Sequence, residues 1–187
     1  MDAHPPDHPP LDCIQPLSAA LQDAGCTPTL GGSGLLVAHG LPFPVHDWDL
    51  IVNADRASVA PVLDGLGCHW HDATDGHPRF PSQKLIVAAP DSSHTIDVML
   101  RFAVLPEGGT TPVSIPSLRD GTWNGLPLGS LLAWLVAYRL MNRPFKPDAI
   151  AAYLRIHGID AAQRDRLLAE PLPDDLRAEL HAFPLRP

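Results

Sequence analysis

The chain has 187 residues, a formal net charge of −8 and 45% hydrophobic residues. That is enough apolar content for a packed core in one domain, with room for a small appended helical lobe. The acidic balance argues against a non-specific nucleic-acid binder, which needs a basic face, and leans away from bulk nucleic acid as a partner. The longest strongly apolar stretch, LPLGSLLAWLVAYRLM, is too short and interrupted to span a bilayer, and no basic segment leading into an apolar one opens the sequence. A cytoplasmic protein with no membrane partner is expected. Cys13, Cys26 and Cys68 show no metal-type pairing, which fits free, partly buried thiols in a reducing compartment.

Residues 1–10, MDAHPPDHPP, are proline-rich and lack periodicity, so a disordered leader is expected there. From Leu11 to about Ala24 apolar positions recur at helical spacing, with Pro16 in the first turns and Gly25 as the C-terminal stop. TPTL is a short strand leading into Gly31-Gly32, and Ser33 opens a short helix through His39. DWDLIV reads as a buried strand, with Trp48, Leu50 and Val52 on one face and Asp47, Asp49 and Ile51 on the other. SVAPVLDGLG predicts a helix capped by Ser58, which places Pro61 in its first turn. CHWHDA, QKLIVAA and HTIDVMLRF predict strands, the last two joined by a turn over residues 90–93, and PVSI a further short one.

After Pro116 the pattern turns helical. LGSLLAWLVAYRLM is apolar nearly all round, which predicts a helix buried against several neighbours, with Trp134 and Tyr138 as core residues. KPDAIAAYLRIHG, DAAQRDRLLAE and PDDLRAELHAF predict three shorter helices. The expected class is α+β, a small mixed β-sheet flanked by helices. The α/β core is expected over residues 11–116, with a helical region packed on it over 117–187.

On the HTIDVMLRF strand Asp97 shares a face with Thr95, Met99 and Arg101. If this strand lies beside DWDLIV, then Asp47, Asp49 and Asp97 converge on one side of the sheet. Three carboxylates that close repel one another unless a cation sits among them. Mg²⁺, or Mn²⁺, takes oxygen ligands of this kind and keeps positions for substrate phosphates. Gly31 and Gly32 allow close backbone approach, Ser33 offers a hydroxyl, and the helix that follows presents its amide end to a phosphate.

Glycine-serine, a short helix, an h-D-x-D-h strand and a third aspartate on a later strand resemble the nucleotidyltransferase fold shared with polymerase beta. The resemblance covers about residues 11–116, and GLPLGSLLAWLVAYRLMNRPFKPDAIAAYL is similar to the helical tail of AbiEii-type and related small bacterial nucleotidyltransferases. It implies that Gly31, Gly32 and Ser33 contact the phosphates of a nucleoside triphosphate. It also implies that Asp47 and Asp49 bind metal, and that Asp97 is a third metal ligand or the base that activates an acceptor hydroxyl. Many members carry a basic or hydroxyl residue just before the first aspartate; here that residue is His46, with Arg79, Lys84 or Arg101 as alternative cations. In such tails a basic residue often follows the buried helix, as Arg139, Arg143 and Lys146 do here. The implied function is Mg-dependent transfer of a nucleoside monophosphate to a hydroxyl acceptor that is not specified. The alternatives are a catalytically silent fold that binds nucleotide or a protein partner, and a component of a toxin–antitoxin pair.

Plainer readings stand beside these. The DxD pair can cap loop amides, Asp97 can face solvent, and Gly31-Gly32 can form an ordinary turn. His69 and His71 share one strand face and can bind a late transition metal. However, the chain's ten histidines are scattered and no cysteine or carboxylate completes a set.

Overall fold

The structure, a computed structural model, describes residues 8–88, 90 and 94–186. Most of the expected leader, residues 1–7, lies outside the described residues, as do residues 91–93 of the expected turn. Residues 8–10, expected within the leader, are packed onto the domain. The His8 ring sits 5.6 Å from that of Trp48 and 5.8 Å from that of Trp123, and the Trp48 indole N–H donates to the Pro10 carbonyl at 3.1 Å.

Helix α1 (Gln15–Asp23) carries Pro16 in its first turn, and the chain leaves it through Gly25 at φ 77. Strand β1 (Pro28–Leu30), helix α2 (Gly32–Ala38) and strand β2 (Trp48–Val52) follow where their patterns predict them. Helix α3 (Arg56–Gly65) starts earlier than expected, because Asp55 and not Ser58 caps it: the Asp55 carboxylate accepts from the Ser58 amide at 3.1 Å. Pro61 therefore lies inside the helix and not in its first turn. Strands β3 (His69–Asp72), β4 (Gln83–Ala88) and β5 (Thr95–Leu100) form the expected series. Strands β6 (Ala103–Val104) and β7 (Val113–Ser114) make a separate antiparallel pair.

Strands β8 (Arg119–Trp123) and β9 (Leu126–Gly129) have no counterpart among the elements the apolar pattern predicts. Asn124 at φ 47 and Gly125 at φ 80 turn the chain between them. This is the Asn-Gly arrangement that matches the twist of a tight hairpin. Residues 119–129, expected in the helical region, thus belong to the sheet. The helices α4 (Leu131–Leu140), α5 (Lys146–His157), α6 (Ala161–Leu168) and α7 (Asp174–His181) come only after them.

Seven strands form one mixed sheet in the order β3-β4-β5-β2-β1-β9-β8. The β2–β5 and β1–β9 pairs are parallel and the others antiparallel. The α+β class expected from the sequence is the class observed. Trp48, Leu50 and Val52 of β2 are fully buried, as are Ile96 and Val98 of β5 and Leu85 and Val87 of β4. Helix α4 is buried at every position except Arg139, which bridges to Asp148 at 2.8 Å and Glu179 at 2.9 Å and so ties α4 to α5 and α7. No helix among the described residues is long and apolar enough to cross a membrane.

Two substitutions separate core packing from turn geometry. Leu50→Ala removes a fully buried side chain from the central strand and is expected to cost about 2–5 kcal/mol. Gly125→Ala meets no neighbouring atom but forces a Cβ into positive φ, and is expected to cost about 1 kcal/mol. Denaturant midpoints of the two variants measure the ratio.

Candidate active site

Parallel pairing of β2 with β5 sets Asp49 opposite Asp97 in register. Asp47 lies one residue before β2, on the same side of the alternation. Backbone pairing alone therefore brings the three acidic residues together at one region of the sheet. The Asp49 carboxylate rests against the α-carbon of Gly32, where any Cβ would overlap it. Gly32 also has φ 54, so both space and backbone conformation require glycine. Among the described residues neither the Asp47 nor the Asp49 carboxylate has a hydrogen-bond or ion-pair partner. Burial, with Asp47 and Asp97 nearby, pushes the Asp49 carboxyl up to about 7, against the opposing pull of Lys84 and Lys146.

Asp97 is engaged. Strand β4 runs antiparallel to β5, and Lys84 pairs in register with Met99, two residues along the same face from Asp97. The Lys84 ammonium forms an ion pair with the Asp97 carboxylate. Among the described residues no group of three His, Cys, Asp or Glu side chains is placed to hold a metal ion. All three aspartates line one cleft, Asp47 and Asp49 without a partner among the described residues and Asp97 paired with Lys84.

The three aspartates open onto a cleft of about 760 Å³, within the usual range for a small-molecule site. On the side of α2 lie Gly32 and Ser33; on the side of the α4–α5 connection lie Arg143 and Lys146. The Lys146 ammonium donates to the Ser33 hydroxyl at 2.8 Å and sits 5.4 Å from the centre of the Tyr138 ring. Burial lowers the Lys146 pKa, while Asp49 acts to raise it. Burial also raises that of Tyr138, whose hydroxyl keeps its proton at neutral pH. Trp134 and Tyr138 are buried, as expected of core residues, and also line the cleft.

The remaining expected residues divide. His46 lines the cleft from the loop before Asp47. Gly31 does not: it is buried, its amide donates to the Asp49 carbonyl at 2.9 Å, and a Cβ there would run into Trp134. It is a packing glycine that lets α4 approach β1, with no amide left for a phosphate. Arg101 is also outside the cleft. It follows the end of β5 at φ 48, where its amide donates to the Val52 carbonyl at 2.9 Å, and its guanidinium reaches Asp55 at 3.7 Å. The left-handed backbone at Arg101 ends the strand alternation on which the expectation rested. Arg79 is spent on the Leu140 carbonyl at 2.6 Å and Arg139 on two carboxylates. His69 and His71 are exposed on the edge strand β3.

The Lys84–Asp97 pair and the Lys146–Ser33 bond escaped sequence reasoning. Both lysines were visible as cations, but partners 13 and 113 residues away are chosen by strand register and helix packing.

The raised Asp49 pKa makes stability pH-dependent. The folded state keeps a proton that the unfolded chain releases near its ordinary value of 3.8, so metal-free protein loses stability as pH rises from about 4 through about 7. Asp49→Asn removes that decline. In denaturation curves taken in chelator, the variant is expected to gain about 2–4 kcal/mol on wild type near pH 8 and nothing near pH 4. Parallel pH profiles for the two proteins would contradict the placement of Asp49 beside its acidic neighbours.

By sequence, no protein family and no curated protein matches the chain. Its fold does have solved counterparts. A protein of Thermotoga maritima described as a candidate nucleotidyltransferase superposes with a TM-score of 0.57 at 18% identity, covering 75% of this chain and 89% of the other. ANT(2'')-Ia, an antibiotic-resistance factor, superposes with a TM-score of 0.52 at 14% identity, covering 90% of this chain and 89% of the other. Its crystal structure in complex with adenylyl-2''-tobramycin gives the same score and identity over 95% of that chain. Identities this low speak for the architecture alone. The mixed sheet, the glycine–serine entry to α2 and the side-by-side aspartates of β2 and β5 are thus set in a chain that has the nucleotidyltransferase fold.

Proposed function

We propose that the protein is a metal-dependent nucleotidyltransferase that moves a nucleoside monophosphate from a nucleoside triphosphate to a hydroxyl of a small acceptor. The observation that carries this reading is the unpartnered Asp47–Asp49 pair, backed by Gly32 and facing the Ser33–Lys146 contact across one cleft. The donor set fits Mg²⁺ or Mn²⁺: it offers only carboxylate oxygens, and Mg²⁺ is commonly held by one or two carboxylates with substrate phosphates and water completing the shell. Asp47 and Asp49 would hold the ion, which when bound neutralises charge on the triphosphate and polarises the phosphorus–oxygen bonds.

The chain's own groups supply the rest. Lys146, Ser33 and Arg143 bind phosphate oxygens, and His46, which also lines the cleft, donates to them. Asp97 takes the proton of the acceptor hydroxyl as its oxygen attacks the α-phosphorus. One oxygen–phosphorus bond forms, the bond from the α-phosphorus to the bridging oxygen breaks, and pyrophosphate carries the displaced charge away. Lys84, paired with Asp97, holds it in position for that proton. The work is mostly positioning and charge stabilisation in a partly desolvated cleft. A small acceptor is favoured by the cleft volume and by the adenylylated aminoglycoside named with one structural neighbour. The Lys84–Asp97 ion pair also supports a second reading, a fold that binds nucleotide without turnover because its would-be base is engaged by a lysine.

Thermal unfolding with each of the four common nucleoside triphosphates, with and without Mg²⁺, tests the site. Stabilisation is expected only when nucleotide and metal are both present, and is expected to vanish in Asp47→Ala. Asp49→Asn is expected to keep the fold and to lower pyrophosphate release at least a hundredfold. Turnover retained by Asp49→Asn would sink the assignment, and metal-dependent binding without pyrophosphate release would select the second reading.

A further inference from the structure

Phe145 breaks three local rules at once. It occupies the N-cap of α5, where residues with a side-chain oxygen are favoured, and makes no capping bond. Its backbone lies at φ 62 and ψ −47, and the Lys146 amide donates to the Pro144 carbonyl across it at 2.7 Å. That is a three-residue γ-turn of the rare, strained hand. Its ring is also 77% exposed. Of the exposed large apolar side chains Phe145, Ile156 and Leu185, Phe145 alone lines the cleft.

None of this serves the fold. A glycine would make the same turn without strain, and a serine or aspartate would cap the helix. Residues held in sparsely populated backbone regions cluster at ligand sites, where surrounding structure holds a side chain that the ligand needs. The flanking residues say which ligand. Lys146 follows directly and bonds Ser33, while Arg143 lies two residues earlier in the same cleft. Among the described residues Arg143 has no side-chain hydrogen bond or ion pair. An aromatic face between two cations suits a ligand that joins a flat π-system to an anionic tail. An apolar peptide would leave both cations unused.

We infer that Phe145 is the platform on which the base of the incoming nucleotide stacks, with Arg143 and Lys146 engaging its phosphates. The inference rests on the nucleotidyl-transfer reading and names a nucleotide-binding residue for it. Stacking is sequence-tolerant, so the platform predicts affinity for nucleobases in general.

The test compares a ligand that has a base with one that lacks it. Full-length wild type, Phe145→Ala, Phe145→Trp and Phe145→Gly are titrated calorimetrically with each nucleoside triphosphate and with inorganic tripolyphosphate, all with Mg²⁺. Phe145→Ala is expected to bind nucleotide about 5- to 150-fold more weakly than wild type, with tripolyphosphate affinity unchanged and with Phe145→Trp restoring the loss. Phe145→Gly is expected to lose nucleotide affinity equally while its Tm holds or rises, because the strain is relieved and the binding surface removed. Nucleotide affinity unchanged in the alanine or glycine variant would overturn the inference, as would equal weakening toward both ligand types. Wild type that binds tripolyphosphate and nucleotides equally would overturn it alone. Wild type that binds neither would overturn the nucleotidyl-transfer reading and the inference together.

Discussion

The parallel ladder between β2 and β5 is the constraint around which the rest of the site is organised. It sets Asp49 beside Asp97, and strand alternation adds Asp47 to the same side. Neighbouring strands lie only about 5 Å apart, so the carboxylates repel strongly in a partly desolvated cleft. The opposite face of the two strands shows what tolerates that cost. Trp48, Leu50, Val52, Ile96 and Val98 are fully buried there, and a one-residue slip would turn the acids into the core and the apolar side chains outward. Hydrophobic burial thus fixes the register, and the register fixes the acidic cluster. Stability of the sheet and electrostatic strain in the site come from the same alternation.

Two lysines offset the acids in different ways. Lys84 reaches Asp97 from the adjacent strand, a contact set by β4–β5 register. Lys146 reaches across the cleft from the start of α5 and bonds Ser33 at the start of α2, which ties the glycine–serine turn to the helical half. Lys84 engages one of the three carboxylates, and Lys146 bonds Ser33 without bonding either of the other two. The result is an asymmetric site, with two carboxylates available to a cation and one bound to an ammonium. In the proposed mechanism that asymmetry separates the metal-binding pair from the residue that takes the proton.

The α4–α5 connection completes the cleft at a local cost. Helix α4 is held by burial along nearly its whole length and by the Arg139 bridges to Asp148 and Glu179. So firm a support can carry a short connection with an unfavourable backbone at Phe145 between two cleft-lining cations. Local rules fail where a rigid scaffold presents a working surface, and such failures are the part of a sequence that the fold itself does not explain.

Much of the fold was legible because periodicity carries it. The helix before Gly25, the DWDLIV strand and the all-round apolar helix α4 follow from apolar spacing and turn residues alone. The Asp47, Asp49, Asp97 and Gly32–Ser33 constellation was visible for a related reason: carboxylates inside apolar strands and paired glycines before a helix are costly unless used. The β8–β9 hairpin carried its signal in Asn124-Gly125, but the run LPLGSLL is apolar without a clear period and merged strand and helix in the reading. Gly31 was placed in the site by its position beside Gly32, and Arg101 by strand alternation with Asp97. Packing against Trp134 decided the first and a left-handed residue ending β5 decided the second. Sequence by itself determined which residues are acidic, which faces are apolar and where the chain must turn, since these depend on near neighbours. Tertiary structure alone decided that Lys84 binds Asp97, that Lys146 meets Ser33 and that Phe145 stands at the lip of the cleft, because each depends on segments brought together only by the packed sheet and helices.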